Sequence, residues 1–219
     1  KINIHQLKIN TLEGNLYLDG NIKNLWKTLD YYFKLDLENF NYSNFMNIAD
    51  ALHPSINLIQ EYTYLVKEAH IKSLVFSVDN REDGLIVTLI QASIKNTNLE
   101  FKEGLKLAIP EINIESDNKN NMLINIKSSK LFNNDINTNL SNTEIVLDRF
   151  SSINDIKNNF EVTTNINTKY NSFFRLISDL ELEFFNNSYV ENIDGNIIGL
   201  LKIRKRKNLE GTENLFYDF

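Results

Sequence analysis

Ile112-Asn113-Ile114-Glu115-Ser116-Asp117-Asn118-Lys119-Asn120-Asn121-Met122-Leu123-Ile124-Asn125-Ile126 is the stretch that decides the fold class. Ile112 and Ile114 alternate with polar residues, Asp117 to Asn121 interrupt the pattern, and Ile124 and Ile126 resume it. Successive side chains of a strand point to opposite faces, so each run lays its isoleucines on one side. Asn and Asp tolerate the backbone of tight turns, so the polar run reads as the link between two antiparallel strands.

The same device recurs outward in both directions. Ile145 with Leu147, and Leu180 with Leu182 and Phe184, repeat the alternation. Strands are predicted at 71–78, 85–93, 96–101, 105–109, 112–116 and 122–128, then within 131–148 and at 160–168, 180–187 and 190–206. Residues 1–22 read as two strands around Glu13-Gly14-Asn15, the second running into Asp19-Gly20 as a turn dipeptide. Residues 23–40 fit either period, with a strand preferred for the second half around Phe33, Leu35 and Leu37. From Ser43 the period changes. Ser43 or Asn44 caps a short helix through Leu52, stopped by His53-Pro54. Ser55 caps an amphipathic helix over 56–69, with Leu58, Ile59, Tyr62, Leu65, Val66 and Ala69 on one face. Tyr170, Phe173, Phe174 and Ile177 predict another short amphipathic helix.

The expected fold is therefore mainly β: a long, twisted antiparallel sheet curled into an open apolar groove, with two or three short amphipathic helices. The chain reads as one elongated segment of a larger protein, with leading strands at 1–42, a helical insertion at 43–70, a strand ladder at 71–168, and a helix plus closing strands at 169–219.

Composition narrows the function classes. The 219 residues suffice for a substantial core, and 42% are hydrophobic and 24% charged. About one residue in six is Asn, with Ile and Lys also heavy, as an AT-rich genome would produce. There is no cysteine, which excludes disulfides, thiolate metal sites and a cysteine nucleophile. A net charge of −6 disfavours nucleic acid as a partner.

No cluster reads as catalytic equipment, so no enzyme activity and no cofactor are expected. His5, His53 and His70 lack zinc-ligand spacing. Asp79, Glu82 and Asp83 fail the spacing of a calcium loop and read as a solvated hairpin. Glu181 and Glu183 share the polar face of a strand. The one basic cluster, Lys202, Arg204, Lys205, Arg206 and Lys207, has two readings: contact with phospholipid headgroups or another acidic surface, or cations that keep an edge strand from unwanted pairing. The second weighs more.

The order of elements resembles a family. Tyr64-Leu65-Val66-Lys67-Glu68-Ala69-His70 ends a predicted helix and leads into the strand 71–78, followed by Val87–Ala92, Asn98–Leu105 and Ile109-Pro110-Glu111-Ile112-Asn113-Ile114. A helix at 170–178, a strand at 180–185 and Asp194-Gly195-Asn196-Ile197-Ile198-Gly199 before a final strand repeat the theme. This looks like the AsmA-like proteins of the YhdP and TamB type. The Gly usual between helix and strand is replaced here by Ala69-His70, and the helical Trp is missing. The resemblance implies a segment of a periplasmic lipid-transfer conduit in the bacterial envelope, anchored to the inner membrane by a region outside the segment. Its partners would be phospholipid and other envelope proteins. The groove lining is expected at Leu105, Leu107, Ile109, Ile112, Ile114, Ile124, Ile126, Ile145 and Leu147. The competing expectation is a closed β-sandwich or β-solenoid in which those residues form an ordinary core.

Overall fold

The computed structural model describes residues 2–23, 30–46, 65–81, 84–101, 104–116, 121–147, 160–179, 194–207 and 213–218. They form one open, mainly antiparallel sheet of eleven strands in which strand order equals chain order. The strands are β1 (Ile2–Asn10), β2 (Asn15–Lys23), β3 (Asp30–Asn41), β4 (Val66–Arg81), β5 (Gly84–Glu100) and β6 (Lys106–Ser116). They continue as β7 (Met122–Phe132), β8 (Asn137–Leu147), β9 (Phe160–Lys169), β10 (Asn196–Lys207) and β11 (Glu213–Asp218), with α1 (Tyr170–Asp179) between β9 and β10. Residues 42–46 are also helical.

Short polar side chains set the tight turns. Between β1 and β2 the Thr11 hydroxyl accepts from the amides of Glu13 (3.2 Å) and Gly14 (3.1 Å). Between β7 and β8 the Asn133 carboxamide accepts from the amides of Asp135 (2.8 Å) and Ile136 (2.6 Å). That side-chain turn reverses the chain and delivers Ile136 into the core, 1% exposed.

Register makes the alternation two-dimensional. Residues directly opposite each other across a ladder share a face. One row of such pairs runs Ile9, Leu16, Leu37, Leu74, Ala92, Ile114, Ile124, Ile145, Val162, Ile203 and Tyr217, crossing every strand with no polar residue except the tyrosine hydroxyl. The neighbouring row runs Asn10, Asn15, Glu38, Ser73, Ser93, Asn113, Asn125, Glu144, Thr163, Lys202 and Asp218, polar throughout. The sheet has an apolar face and a mainly polar face, on which Ile198 and Leu200 of β10 are nonetheless 78% and 52% exposed.

A crease interrupts the alternation at one level of β5 to β8. Lys95-Asn96, Pro110-Glu111, Lys127-Ser128 and Ser141-Asn142 are consecutive pairs at which the strands turn over. Buried residues then recur three apart, as in Ile126 and Ser129. Asn96 and Asn142 take positive φ there, 51° and 50°, which Asn accepts more readily than most residues. Asn39 (φ 62°) does the same in β3 and leaves Leu37 and Phe40 each 1% exposed.

These irregularities correct four sequence expectations. Val66 to Ala69 belong to β4, not to a helix; register shifts at Val66/Glu68 and Glu68/His70 put bulges there, and a bulge turns strand spacing of two into helical spacing of three. The rest of the expected helix 56–69, and its neighbour beyond 46, lie outside the described residues. The strands expected at 85–93 and 96–101 are one, as are 105–109 and 112–116; Pro110 sits in the crease, where no ladder pair is lost to its missing N–H. Asp19-Gly20 is no turn but the interior of β2. Gly20 lies opposite Phe33, and a Cβ on it would stand 2.2 Å from the Tyr32 carbonyl oxygen and 2.5 Å from the Phe33 ring. Finally, β11 was not anticipated, and the expected strand 180–187 falls outside the described residues.

Candidate functional site: the apolar face

The face is covered at one end by the chain itself. α1 carries Phe173 and Leu176 onto Ile136 and Ile166, with Leu105, Leu131, Leu140, Phe174 and Ile197 around them. Ile166 pairs with Leu140 and lies on the same side of β9 as Val162, so α1 rests on the apolar face. The helix is tied down at its first residue and again midway along. The Tyr170 amide donates to the Gly195 carbonyl (2.9 Å), and Arg175 meets Asp135 in an ion pair (2.5 Å). Burying an aromatic and a leucine contributes roughly 1.5–3 kcal/mol each. A second cluster joins Leu37, Phe40 and Ile71 to Leu16, Phe45, Leu74 and Phe76, so the helical stretch 42–46 also reaches this face.

Four threonines on the apolar face satisfy one another in pairs. Thr138 and Thr168 share a hydroxyl–hydroxyl bond of 2.8 Å, and Thr143 and Thr164 one of 2.7 Å, all four buried. At the β1 end the picture changes. Ile2, Leu7 and Ile9 are 47%, 46% and 43% exposed.

The expected lining residues all map to this face. Ile114, Ile124 and Ile145 stand in the row that crosses the sheet, and Ile112 pairs with Ile126 one step along. Leu147 pairs with Met122 on the other side of the row. Leu107 and Ile109 lie beyond the crease, where Leu107 pairs with Leu131; Leu105 belongs to the cluster under α1. Ile109, Ile126 and Leu147 are buried, and the other six are half-buried. The continuation of the row through Ile9, Leu16, Leu37, Leu74, Ala92, Val162 and Ile203 was missed, although the alternation of Leu16 with Leu18 and of Phe33, Leu35 and Leu37 carried its signal.

The basic cluster is divided by the strand it lies on. Lys202 and Arg204 project from the polar face and both bind Glu161, at 2.6 Å each. Hydrogen bonds from Lys202 and Arg204 hold the Glu161 carboxyl below its usual range. Lys205 follows Arg204 and pairs with Phe160, on the apolar side of the ladder. Arg206 and Lys207 pair in register with Asn214 and Glu213.

A polar cleft of about 450 Å³ opens at the start of β4, between Asn41, Tyr42, Ser43, Lys67, Glu68, Ala69, His70 and Asn96. His70 Nδ1 lies 3.4 Å from the Asn41 carboxamide oxygen, and the Glu68 carboxylate accepts from the Asn98 side-chain Nδ2 at 2.9 Å. Among the described residues no group of three or more His, Asp or Glu is placed to hold a metal ion. None of the described helices is long and apolar enough to cross a membrane. His53, Glu181 and Glu183 lie outside the described residues. Comparison with known proteins adds no relative: no family model, no curated protein and no solved structure matches the chain.

Proposed function

We propose that the chain is a segment of a lipid-transfer conduit, in which phospholipid acyl chains lie on the apolar face while headgroups stay in water. The observation that supports this most directly is the apolar row that crosses all eleven strands without a polar stop. Ten strand spacings make it roughly 48 Å long, against about 30 Å for the hydrocarbon core of a bilayer. Acyl chains need no directional partner, so a continuous apolar strip is sufficient to bind them. Large exposed apolar surfaces mark binding sites, and β1 holds such a surface open. In this reading the chain works in the bacterial periplasm as part of an AsmA-like protein held to the inner membrane by another region, beside other envelope proteins. Binding is non-covalent and needs no cofactor.

The competing reading is a closed structural or interaction module. The cluster under α1 favours it, because there the face is an ordinary core. Native mass spectrometry of the purified chain, followed by uptake from vesicles containing a fluorescent phospholipid, separates the two. The conduit predicts co-purifying or acquired phospholipid, and Ile114→Asp removes it while the far-ultraviolet circular dichroism of the strands persists. A lipid-free chain that takes up nothing, or an Ile114→Asp chain that unfolds because a buried charge is left unpaired, sinks the conduit reading.

A further inference from the structure

Backbone irregularity builds the polar cleft at the start of β4. The register of β4 on β5 shifts between Val66 and Glu68, between Glu68 and His70, and again between Ile71 and Ser73. On the two flanking strands Asn39 and Asn96 take positive φ, 62° and 51°. Bulges re-aim side chains and gather next to binding sites. Their effect in β4 is to break the alternation. Lys67 and Glu68 are consecutive yet both exposed, Ala69 and Ile71 are buried, and His70 pairs with Asn41 one step from the Phe40–Ile71 pair. Lys67, Glu68 and His70 are thereby brought to one cleft, away from the apolar cluster, together with Ser43 and Asn96.

The bonding groups left over in the cleft define a ligand. The Asn98 carboxamide takes one oxygen of Glu68, which leaves the other as an acceptor. The Asn41 carboxamide oxygen takes the proton on His70 Nδ1, which leaves Nε2 as an acceptor too. No side-chain partner meets the Lys67 ammonium, the Ser43 hydroxyl or the Asn96 carboxamide among the described residues, and all three are donors. A lone anion in this cleft would meet Glu68, and a lone cation would meet Lys67. A group that carries both signs satisfies both.

We propose that the cleft binds a phosphoethanolamine group, with the phosphate on Lys67, Ser43 and Asn96 and the ammonium on Glu68 and His70 Nε2. Separate donors from three residues suit the several oxygens of a tetrahedral phosphoryl group better than the two of a carboxylate. The cleft volume of about 450 Å³ also leaves room for the alcohol esterified to the phosphate. The group comes either from a soluble phosphate ester or from a phospholipid headgroup at a membrane surface. Because the cleft lies away from the apolar row, the site stands whether or not acyl chains bind on that row.

Isothermal titration of the purified chain with glycerophosphoethanolamine tests the site, with inorganic phosphate and ethanolamine titrated separately as its two halves. The ester is expected to bind at least about tenfold more tightly than either half. Lys67→Ala and Glu68→Gln are each expected to weaken it by about tenfold. Both residues are exposed, and Glu68→Gln keeps an acceptor for Asn98 while removing the charge, so both chains should fold. Lys127→Ala, at an exposed lysine on the crease, is expected to leave the titration unchanged. Flotation with phosphatidylcholine vesicles, with and without phosphatidylethanolamine, assigns the source. Extra binding to phosphatidylethanolamine that Glu68→Gln abolishes marks a lipid headgroup, and binding of the soluble ester alone marks a free one. No heat with the ester, inorganic phosphate binding as tightly as the ester, or a Glu68→Gln chain that binds like the native one overturns the proposal.

Discussion

The two ends of the apolar face carry the same pattern and meet opposite fates. Under α1, Ile136 and Ile166 are 1% and 3% exposed, whereas on β1 Ile2 and Ile9 are 47% and 43% exposed. Alternation chooses the side of the sheet on which a residue lies. Whether that side becomes core depends on a second element arriving to cover it, and α1 does so with two side chains, Phe173 and Leu176. A binary pattern is thus a statement about faces, and burial is a statement about layers.

The comparison can be broken most severely at its covered end. Phe173→Ala removes the ring that seals the cluster and is expected to cost about 3–5 kcal/mol, read from the urea midpoint. Thr138→Val tests the polar pair beneath the same layer. It removes the bond to Thr168 while leaving that hydroxyl its weaker contact with the Asn137 carbonyl at 3.3 Å, and should cost about 1 kcal/mol.

The polar face supplies two smaller effects of opposite sign. Glu161→Gln gives up the bonds from Lys202 and Arg204, for a loss of up to ~1 kcal/mol at neutral pH, as is usual for partly exposed pairs. Because the folded Glu161 carboxyl is held low, its contribution is complete above the ordinary glutamate range and disappears as pH falls through the lowered value. Asp36 is the reverse case. Burial, then the neighbouring Glu38, raises its carboxyl against the opposing pull of Lys34. Its ionisation therefore costs stability as pH rises through that raised value, so Asp36→Asn should stabilise at neutral pH and do nothing in strong acid. Thermal unfolding of both variants at several pH values reads the two signs.

The smallest effect belongs to the open end. Leu7→Ser should shift stability by no more than ~0.5 kcal/mol. A large loss there would mean that β1 is covered after all.

Regular segments were legible because period and face coincide in them. β3, β8 and β9 read correctly from residues such as Leu35, Ile145 and Val162. What misled was each place where a sheet departs from flat pleating. Val66 and Ala69 mimic a helix because bulges space them by three, and Gly20 mimics a turn because a ring needs room above it. Pro110 mimics a terminator because only the register of β6 on β7 shows that its missing donor is harmless. That the nine residues from Leu105 to Leu147 share a face was readable by parity alone. Their continuity from β1 to β10 was not, because it depends on register shifts that no single strand records. Cover was not readable either, since α1 announces its own apolar stripe but not the strands on which it lies.

Chain order and strand order are the same here, and that makes the sheet a one-dimensional object. Each strand gains its ladder from the segments just before and just after it, so stability accumulates as nearest-neighbour terms, much as in a repeat array. Most contacts close over a single hairpin, where the entropic penalty is small, and folding can begin at any well-set turn and spread both ways. The Asn133 turn, locked by its own side chain and leading to Ile136, is the natural place to start. Such an array also lengthens or shortens in units of one hairpin. Evolution can change its span two strands at a time without disturbing the register of any strand that remains.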